Sequence, residues 1–500
     1  MRTLLAAVLC LVSVALFAQP SLILVNGKVF DNPNAQAIAI TGNTITAVGT
    51  NDAIRALAKP ETRVIDVEHR LVIPGINDAH THPGMATAAF QINPDLDATW
   101  AQVGAAIAGA TDETPADLWI MVTVGPPIIN DATITKDTLD KLAPGRKVFV
   151  SAFTGHNAVL SSAALAELKI AIDARDPFGG SYGRDANGKL NGRVSEYAHY
   201  DVDRRFADLA TIDELASNIA AFADESIRYG ITSVQAMPPA SEERFERALA
   251  ASRVPLRVRM ISFPLGDPRR ANLAGRSAVK FILDGTPIER GAALRTARYA
   301  DGTKGRENFA DLAPLIKLAV DNRQQLLVHT AGDKTAESVL KAVATTNLSR
   351  VRLEHADGLQ SDLWPLAKRT GAIAVVNPTH FPFRGTYPAG QYMPAGSLLK
   401  AGIPLAIGSD GPMNPFLNIM LAAARPDQPD ESLSREDALR AYTSGSAFAE
   451  NMETKKGKIA PGMLADLAVL SQNILEVPME ILPETHSVLT IIDGKVVYQE

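Results

Sequence analysis

Short apolar runs alternate with helix-like segments through the middle of the chain. Apolar runs of about four to eight residues are typical of buried parallel strands, and helices between them indicate βαβ units. The apolar runs are Ile231–Met237, Leu256–Ser262, Val279–Leu283, Leu326–His329, Val351–His355, Ala372–Asn377 and Pro404–Ser409. The helix-like segments include Asp311–Asn322, Lys334–Thr345, Ser361–Thr370 and Arg435–Ala449. One more strand, ending at His80–His82, brings the number to eight, which predicts an α/β fold with a (β/α)8 TIM-like barrel. An open doubly wound sheet is the alternative.

Both ends of the chain show short strands instead. Asn26-Gly27 and Asp493-Gly494 each favour a two-residue hairpin turn. Because a lone hairpin is marginally stable in water, we expect residues 21–73 and 455–500 to form one small β-sandwich beside the barrel domain, 74–454. Residues 84–210 do not fit the alternation, and they are predicted to be a lid-like insertion after the first barrel strand.

Residues 1–18 resemble a secretory signal peptide. Their apolar run, from Leu4 to Phe17, is shorter than the roughly 20 residues that a membrane-spanning helix needs. We therefore predict a signal peptide rather than an uncleaved anchor, with export to a bacterial periplasm and no stable membrane insertion after cleavage. The only cysteine is Cys10, which excludes a disulfide framework and a cysteine-based metal site.

The composition is that of an ordinary globular protein. The 500 residues are 46% hydrophobic and 21% charged, and 49 Lys and Arg against 55 Asp and Glu give a formal net charge of −6. No basic tract stands out, which argues against a nucleic-acid partner. We expect a small-molecule substrate, and a homo-oligomer is compatible with the sequence.

Two histidines lie close together at the end of the first barrel strand. His80 and His82 are separated by one residue. In a strand, residues two apart point to the same side and lie about 6.6 Å apart along the chain. Both imidazoles can therefore bind one metal ion. A pair of surface histidines near a turn is the alternative.

Three further candidate ligands each end a predicted strand. These are His329, His355 and Asp410. Because catalytic groups of barrels gather at the C-terminal ends of the strands, we expect these side chains to converge, although each alone could be an ordinary loop residue. Nitrogen and oxygen ligands without thiols suit zinc, and also manganese, iron, cobalt or nickel.

Lys280 lies within an otherwise apolar strand, Ala278–Asp284. An unpaired ammonium group would be costly there. One solution is a lowered pKa, so that the neutral amine can add carbon dioxide and become a carbamate that bridges two metal ions. The alternative is a lysine that pairs with a carboxylate or extends its amine out of the barrel.

Several different short motifs are spread along nearly the whole mature chain. They are Pro74–His82, Gly155-His156-Asn157, Gly230–Ser233, Lys280 with Asp284-Gly285, Val328–Asp333, Glu354-His355, Ser409-Asp410 and Pro461–Leu467. With these motifs the chain resembles the amidohydrolase superfamily, specifically amidohydrolase family 3, the branch that includes N-substituted formamide deformylase. The order histidine, lysine, histidine, histidine, aspartate is specific to the superfamily, and Gly155-His156 and Gly332-Asp333 favour this branch.

The resemblance implies a role for each candidate ligand. The implied roles are His80 and His82 for a first metal ion, Lys280 as the carboxylated bridge between two ions, His329 and His355 for the second ion, and Asp410 for the first ion and for proton transfer. Some relatives bridge their ions with another residue, and Glu196 is the rival acid here.

The implied activity is hydrolysis of a non-peptide C–N bond in an amide, formamide or cyclic amide. A metal-bridged hydroxide would attack the carbonyl, with Asp410 as general base and then general acid. The alternatives are a hydrolase of esters, lactones or phosphoesters, and an inactive relative that only binds a ligand.

Three more residues are candidates for supporting roles. His156 in the insertion and His380 after the seventh strand are candidates for substrate binding, although each could be a loop histidine bonded to backbone. Asp333 is expected to orient a ligand imidazole, to cap the helix that begins at Lys334, or both.

Overall fold

The computed structural model describes residues 19–83, 88–271, 273, 275–388, 390 and 392–500. Its strands are β1 (Leu22–Val25), β2 (Lys28–Val29), β3 (Ala37–Thr41), β4 (Thr44–Gly49), β5 (Arg63–Asp66), β6 (Leu71–Pro74), β7 (Ile76–Thr81), β8 (Ala89–Ile92), β9 (Trp119–Val124), β10 (Val148–Ala152), β11 (Asn157–Leu160), β12 (Gly180–Arg184), β13 (Leu190–Glu196), β14 (Ile231–Ala236), β15 (Arg257–Met260), β16 (Ala278–Ile282), β17 (Gln325–His329), β18 (Arg352–Glu354), β19 (Ile373–Val376), β20 (Leu405–Ile407), β21 (Leu467–Leu470), β22 (Ser487–Ile492) and β23 (Lys495–Gln499). The predicted signal peptide, 1–18, lies outside the described residues.

The α-helices occupy mainly the connections between these strands. They are α1 (Asn51–Arg55), α2 (Trp100–Glu113), α3 (Pro126–Ile129), α4 (Lys136–Leu142), α5 (Ser162–Glu167), α6 (Tyr197–Ala207), α7 (Ile212–Arg228), α8 (Glu242–Ser252), α9 (Ala313–Asp321), α10 (Asp333–Val343), α11 (Trp364–Thr370), α12 (Ala395–Lys400), α13 (Pro415–Ala423), α14 (Arg435–Arg440) and α15 (Ser446–Ala449). Among the described residues, no helix is both long enough and apolar enough to cross a membrane.

The predicted barrel strands form two parallel sheets. One contains β15, β14 and β7, and the other contains β16, β17, β18, β19 and β20. A parallel bridge between Ser262 and Val279 joins the two sheets on one side. On the other side, the backbone N–H of Asp410 donates to the carbonyl of His80 over 3.0 Å. Each of the seven apolar runs contains a strand, which confirms the mixed α/β prediction.

Burial explains why these strands are apolar. All five residues of β16 are buried, as are all five of β17. Helices cover the sheets with their apolar sides, as α7 does with Leu215 and Ile219. This helix begins at a capping box in which Thr211 and Glu214 satisfy each other's backbone N–H groups.

The two chain ends build two sheets with a shared apolar core. Their strand orders are β4-β3-β1-β5 and β2-β6-β21-β22-β23, and the core includes Leu24 from the first sheet and Leu467 from the second. The hairpin predicted at Asn26-Gly27 is absent, because β1 pairs with β3 and β5 whereas β2 pairs with β6. The side chain of Asn26 instead bonds to Asn51 and Asp66. The predicted turn at Asp493-Gly494 is confirmed by the pairing of β22 with β23.

The inserted segment has a sheet of its own. Its six strands lie in the order β12-β13-β11-β10-β9-β8, and β12 and β13 form an antiparallel hairpin. Residues 84–87, at the start of the predicted insertion, lie outside the described residues. The predicted insertion is tied to the parallel strand β16, because the backbone N–H of Ile282 donates to the hydroxyl of Tyr197 at the start of α6.

Candidate active site and metal centre

Most of the predicted metal ligands sit at or just beyond the C-terminal ends of parallel strands, whereas Lys280 lies in the middle of β16. His80 is near the end of β7, His329 ends β17, and His355 directly follows β18. His80, His355 and Asp410 form a group that could hold a metal ion, since one ligand atom from each lies within 4.8 Å of the others. The structure thus brings together predicted ligands from strands that are far apart along the chain.

Asp410 lies at the centre of the histidines. Its Oδ1 atom is 3.3 Å from Nε2 of His82 and 3.6 Å from Nε2 of His80. Its Oδ2 atom is 3.7 Å from Nδ1 of His355. Burial raises the pKa of this carboxyl, but the surrounding histidines outweigh that effect and hold the pKa well below its usual range. Asp410 is therefore an ionised carboxylate at neutral pH.

Two buried imidazole nitrogens have no hydrogen-bond partner among the described residues. They are Nε2 of His329 and Nδ1 of His355, and the two rings lie 4.3 Å apart between centroids. Burial lowers the pKa of both imidazoles well below the usual value. Neutral imidazole is the form that binds metal ions, and a buried polar atom without a partner calls for an explanation. A divalent cation fits this set of donors.

Lys280 points into the same group. Its Nζ atom is 3.0 Å from Nε2 of His80, and the residue is buried. Burial lowers the pKa of its amine to about 8, although Asp410 and Glu354 work in the opposite direction. The lysine therefore does not extend its amine to solvent, and no described salt bridge joins it to a carboxylate.

A buried acid that sequence reasoning missed holds His80. Oε2 of Glu354 is 2.6 Å from Nδ1 of His80. Arg352 binds this carboxylate through Nε at 2.8 Å and Nη2 at 3.0 Å, and these two residues are both fully buried. The signal was present in the run Arg352-Leu353-Glu354, because two charged residues two apart in a buried strand point to the same side.

His156 reaches the site from the insertion. Its ring centroid is 4.8 Å from that of His329. Its Nδ1 atom lies 3.1 Å from Oε2 of Glu196 and 2.9 Å from the hydroxyl of Tyr200. Burial lowers the pKa of His156, but Glu196 more than compensates, so the pKa is raised. The described side-chain hydrogen bonds of Glu196 are with His156 and Asn308, and none reaches Lys280, so they do not favour Glu196 as a metal bridge.

His380 also reaches the metal ligands. Its ring stacks on that of His355 with centroids 5.4 Å apart. Its Nε2 atom is 3.2 Å from the backbone oxygen of Asp410 and 3.7 Å from Oδ2 of the same residue. The structure therefore places both substrate-binding candidates beside the predicted ligands.

Asp333 has a different partner from the predicted one. Its carboxylate accepts hydrogen bonds from the backbone N–H and from Nε of Arg295, each over 3.0 Å, and no described contact joins it to His329. Helix α10 begins at Asp333 itself, after Gly332, without a side-chain cap. The acid nearest His329 is Asp284, with Oδ1 3.8 Å from Nε2.

Asp284 in turn fixes the loop that follows His329. Its carboxylate accepts hydrogen bonds from the backbone N–H groups of Ala293, Ala331 and Gly332, and from the hydroxyl of Thr335. Burial raises the pKa of Asp284 to about 7 despite these hydrogen bonds. Its position follows from tertiary contacts that the sequence motif Asp284-Gly285 does not reveal.

Comparison with known proteins shows the family to which the chain belongs. A model described as the amidohydrolase family matches residues 63–498. N-substituted formamide deformylase from Arthrobacter pascens is 27% identical over 94% of this chain and 96% of its own length. An uncharacterized metal-dependent hydrolase from Pyrococcus horikoshii OT3 has a similar structure, with a TM-score of 0.72, 19% identity, and coverage of 92% of this chain and 99% of its own. N-isopropylammelide isopropylaminohydrolase from Burkholderia multivorans ATCC 17616 gives a TM-score of 0.54 at 15% identity, with coverage of 96% of this chain and 98% of its own.

Proposed function

Because the chain belongs to the amidohydrolase family, we propose that it is a metal-dependent hydrolase of a non-peptide carbon–nitrogen bond in an amide, formamide or cyclic amide. The observation that carries this proposal is the position of Asp410 between His82, His80 and His355. A carboxylate among imidazoles is suited both to hold a cation and to accept a proton.

The site would hold one or two divalent ions, with zinc as the first choice and manganese, iron, cobalt or nickel as alternatives. The residues that would hold them are His80, His82, Lys280, His329, His355 and Asp410. The chemistry that bound ions supply is a lowered pKa of an attacking water and polarisation of the substrate carbonyl. The unpartnered nitrogens of His329 and His355 support this assignment.

Asp410 would move the proton. Its carboxylate, ionised at neutral pH, accepts a proton from the attacking water and then returns it to the leaving nitrogen. The nitrogen needs that proton because an amide anion is a poor leaving group. General acid–base catalysis of this kind contributes about 10²–10⁴-fold.

We propose that the amine of Lys280 is carboxylated. With a pKa lowered to about 8 by burial, part of the amine is neutral near physiological pH. Its nitrogen forms a bond to the carbon of carbon dioxide and loses a proton, which gives a carbamate with two oxygens. The carbamate would bridge two ions beside His80.

The choice of a carbon–nitrogen bond rests on a relative. N-substituted formamide deformylase, as named, acts on formamides, and it is 27% identical to this chain. The test is a panel of N-formyl, N-acyl, cyclic amide, ester, lactone and phosphoester compounds with the zinc-loaded and manganese-loaded protein. Release of amine from an amide or formamide is expected. Turnover of esters, lactones or phosphoesters alone, or bound metal without any turnover, would overturn the proposal.

Two structural features are also part of this proposal. The eight parallel strands would form a closed barrel, which the Ser262–Val279 bridge and the hydrogen bond from Asp410 to His80 support. The two end sheets would form the flanking sandwich around their shared core.

The enzyme would be exported to a bacterial periplasm, which the apolar run of residues 1–18 supports. Retention of an unprocessed chain in the cytoplasm would contradict export.

A further inference from the structure

A buried charged pair lies directly beneath His80. Arg352 and Glu354 each have 0% exposed surface. Burying an ion pair costs desolvation energy, so such a pair is often replaceable by apolar residues without loss of stability. Its presence under a candidate metal ligand therefore suggests a role other than stability.

The pair binds both the ring and the backbone around His80. Oε2 of Glu354 lies 2.6 Å from Nδ1 of the His80 ring. Nη2 of Arg352 donates to the backbone oxygen of Ala79 over 2.6 Å as well as to Glu354. Nη1 of Arg352 contacts the side-chain oxygen of Gln235 on β14, the strand that pairs with β7. Arg352 thus fixes the carboxylate and the residue preceding His80 at the same time.

The contacts define which ring nitrogen of His80 carries hydrogen. The Glu354 carboxylate can only accept, so Nδ1 donates to it. The other nitrogen, Nε2, lies 3.0 Å from the amine of Lys280 and 3.6 Å from Asp410. The lone pair of His80 is thereby aimed at the group that could hold a metal ion.

We propose that Glu354 is a positioning residue that fixes the tautomer and orientation of His80 for metal binding, and that Arg352 holds Glu354 in place. The inference rests on the metal centre in the proposed function. A carboxylate behind a ligand histidine keeps the ring oriented and makes its free nitrogen a better ligand, and loss of such a partner weakens metal affinity about 10–100-fold.

The experiment measures zinc affinity by chelator competition on E354Q, without any substrate. The glutamine keeps the shape of the side chain and removes its charge. We expect zinc to bind about 10–100-fold more weakly than to the unchanged protein. Unchanged zinc affinity in folded E354Q would overturn the proposal.

A second variant separates positioning from stability. E354Q leaves Arg352 buried without its anion, so its unfolding temperature should fall. R352M/E354Q removes both charges, and its unfolding temperature should recover, whereas its zinc affinity should stay weak. If zinc affinity recovers together with stability, the pair is only structural and the proposal fails.

The matched control is another buried ion pair. Glu450 binds Lys456, and it also accepts from Asn77 over 3.0 Å. E450Q should lower the unfolding temperature and leave zinc affinity unchanged within about twofold. An equal loss of zinc affinity in E450Q would show that the effect is general destabilisation. If the unchanged protein binds no zinc at all, the proposed metal centre fails instead.

Discussion

Replacement of Asp410 by asparagine tests the proposed proton transfer. D410N keeps the size of the side chain and one oxygen, but an amide cannot accept the proton of the attacking water. The carboxylate lies 3.3 Å from His82, 3.6 Å from His80 and 3.7 Å from both His355 and His380. No other carboxylate is described in contact with these four imidazoles together, so a substitute base is not expected.

The expected loss follows from the size of general acid–base catalysis. Such catalysis contributes about 10²–10⁴-fold. At about 1.4 kcal/mol per tenfold, the activation barrier rises by roughly 3–5 kcal/mol. Because His80 and His355 remain, we expect D410N to retain most of its bound metal.

The assay measures amine release from whichever amide or formamide the unchanged enzyme hydrolyses, together with metal content per chain. A fall in kcat of at least about a hundredfold with metal retained would support the role of Asp410. Full activity would refute it. Loss of activity together with all bound metal would show that Asp410 acts as a ligand and would leave its proton transfer without support from this variant.

Three other predictions address neighbouring residues. K280M should lower the number of zinc ions retained per chain after dialysis, since methionine cannot form a carbamate; unchanged metal content would contradict the bridging role. E196Q should lower kcat/KM about five- to tenfold without changing metal content, because a neutral amide holds His156 less strongly than a carboxylate does; unaltered kinetics would mean that this contact is not used. The exposed Asp301 has a pKa lowered to about 2, chiefly by the hydrogen bond from the hydroxyl of Thr303. The stabilisation from this carboxylate is therefore fully present above the usual pKa of an aspartate, and it is lost as the pH falls from there to the lowered pKa. D301N should therefore lower the unfolding temperature near neutral pH and have less effect near about pH 2; an equal shift at both would contradict this sign.

The sequence predicted the parallel strands well because their pattern is local. A strand such as Gln325–His329 is buried along its whole length, and such a strand must be apolar at successive positions. The turn at Asp493-Gly494 was also local and correct. Asn26-Gly27 misled because its outcome depends on distant partners: β1 pairs with β5 and β2 with β6, so the chain passes between two sheets at that point.

The candidate ligands were predicted because each stands at a strand end or in a recognisable motif. Their supports were not, since these are tertiary contacts without a spacing rule. Glu354 meets His80 across 274 positions of sequence. Asp333 stood in a motif next to His329, yet its carboxylate binds Arg295. The spacing of Arg352 and Glu354 indicates two buried charges on one side of a strand, but no local pattern reveals which distant side chain each of them binds.

The central claim is that His80, His355 and Asp410 hold a metal ion together with Lys280, His82 and His329. The most direct test is anomalous diffraction at the zinc absorption edge from crystals grown with zinc. The account predicts an anomalous peak between Nε2 of His80 and the carboxylate of Asp410, at bonding distance from both. Well-ordered crystals with these side chains in place and no zinc among them, while the enzyme is fully active, would contradict it.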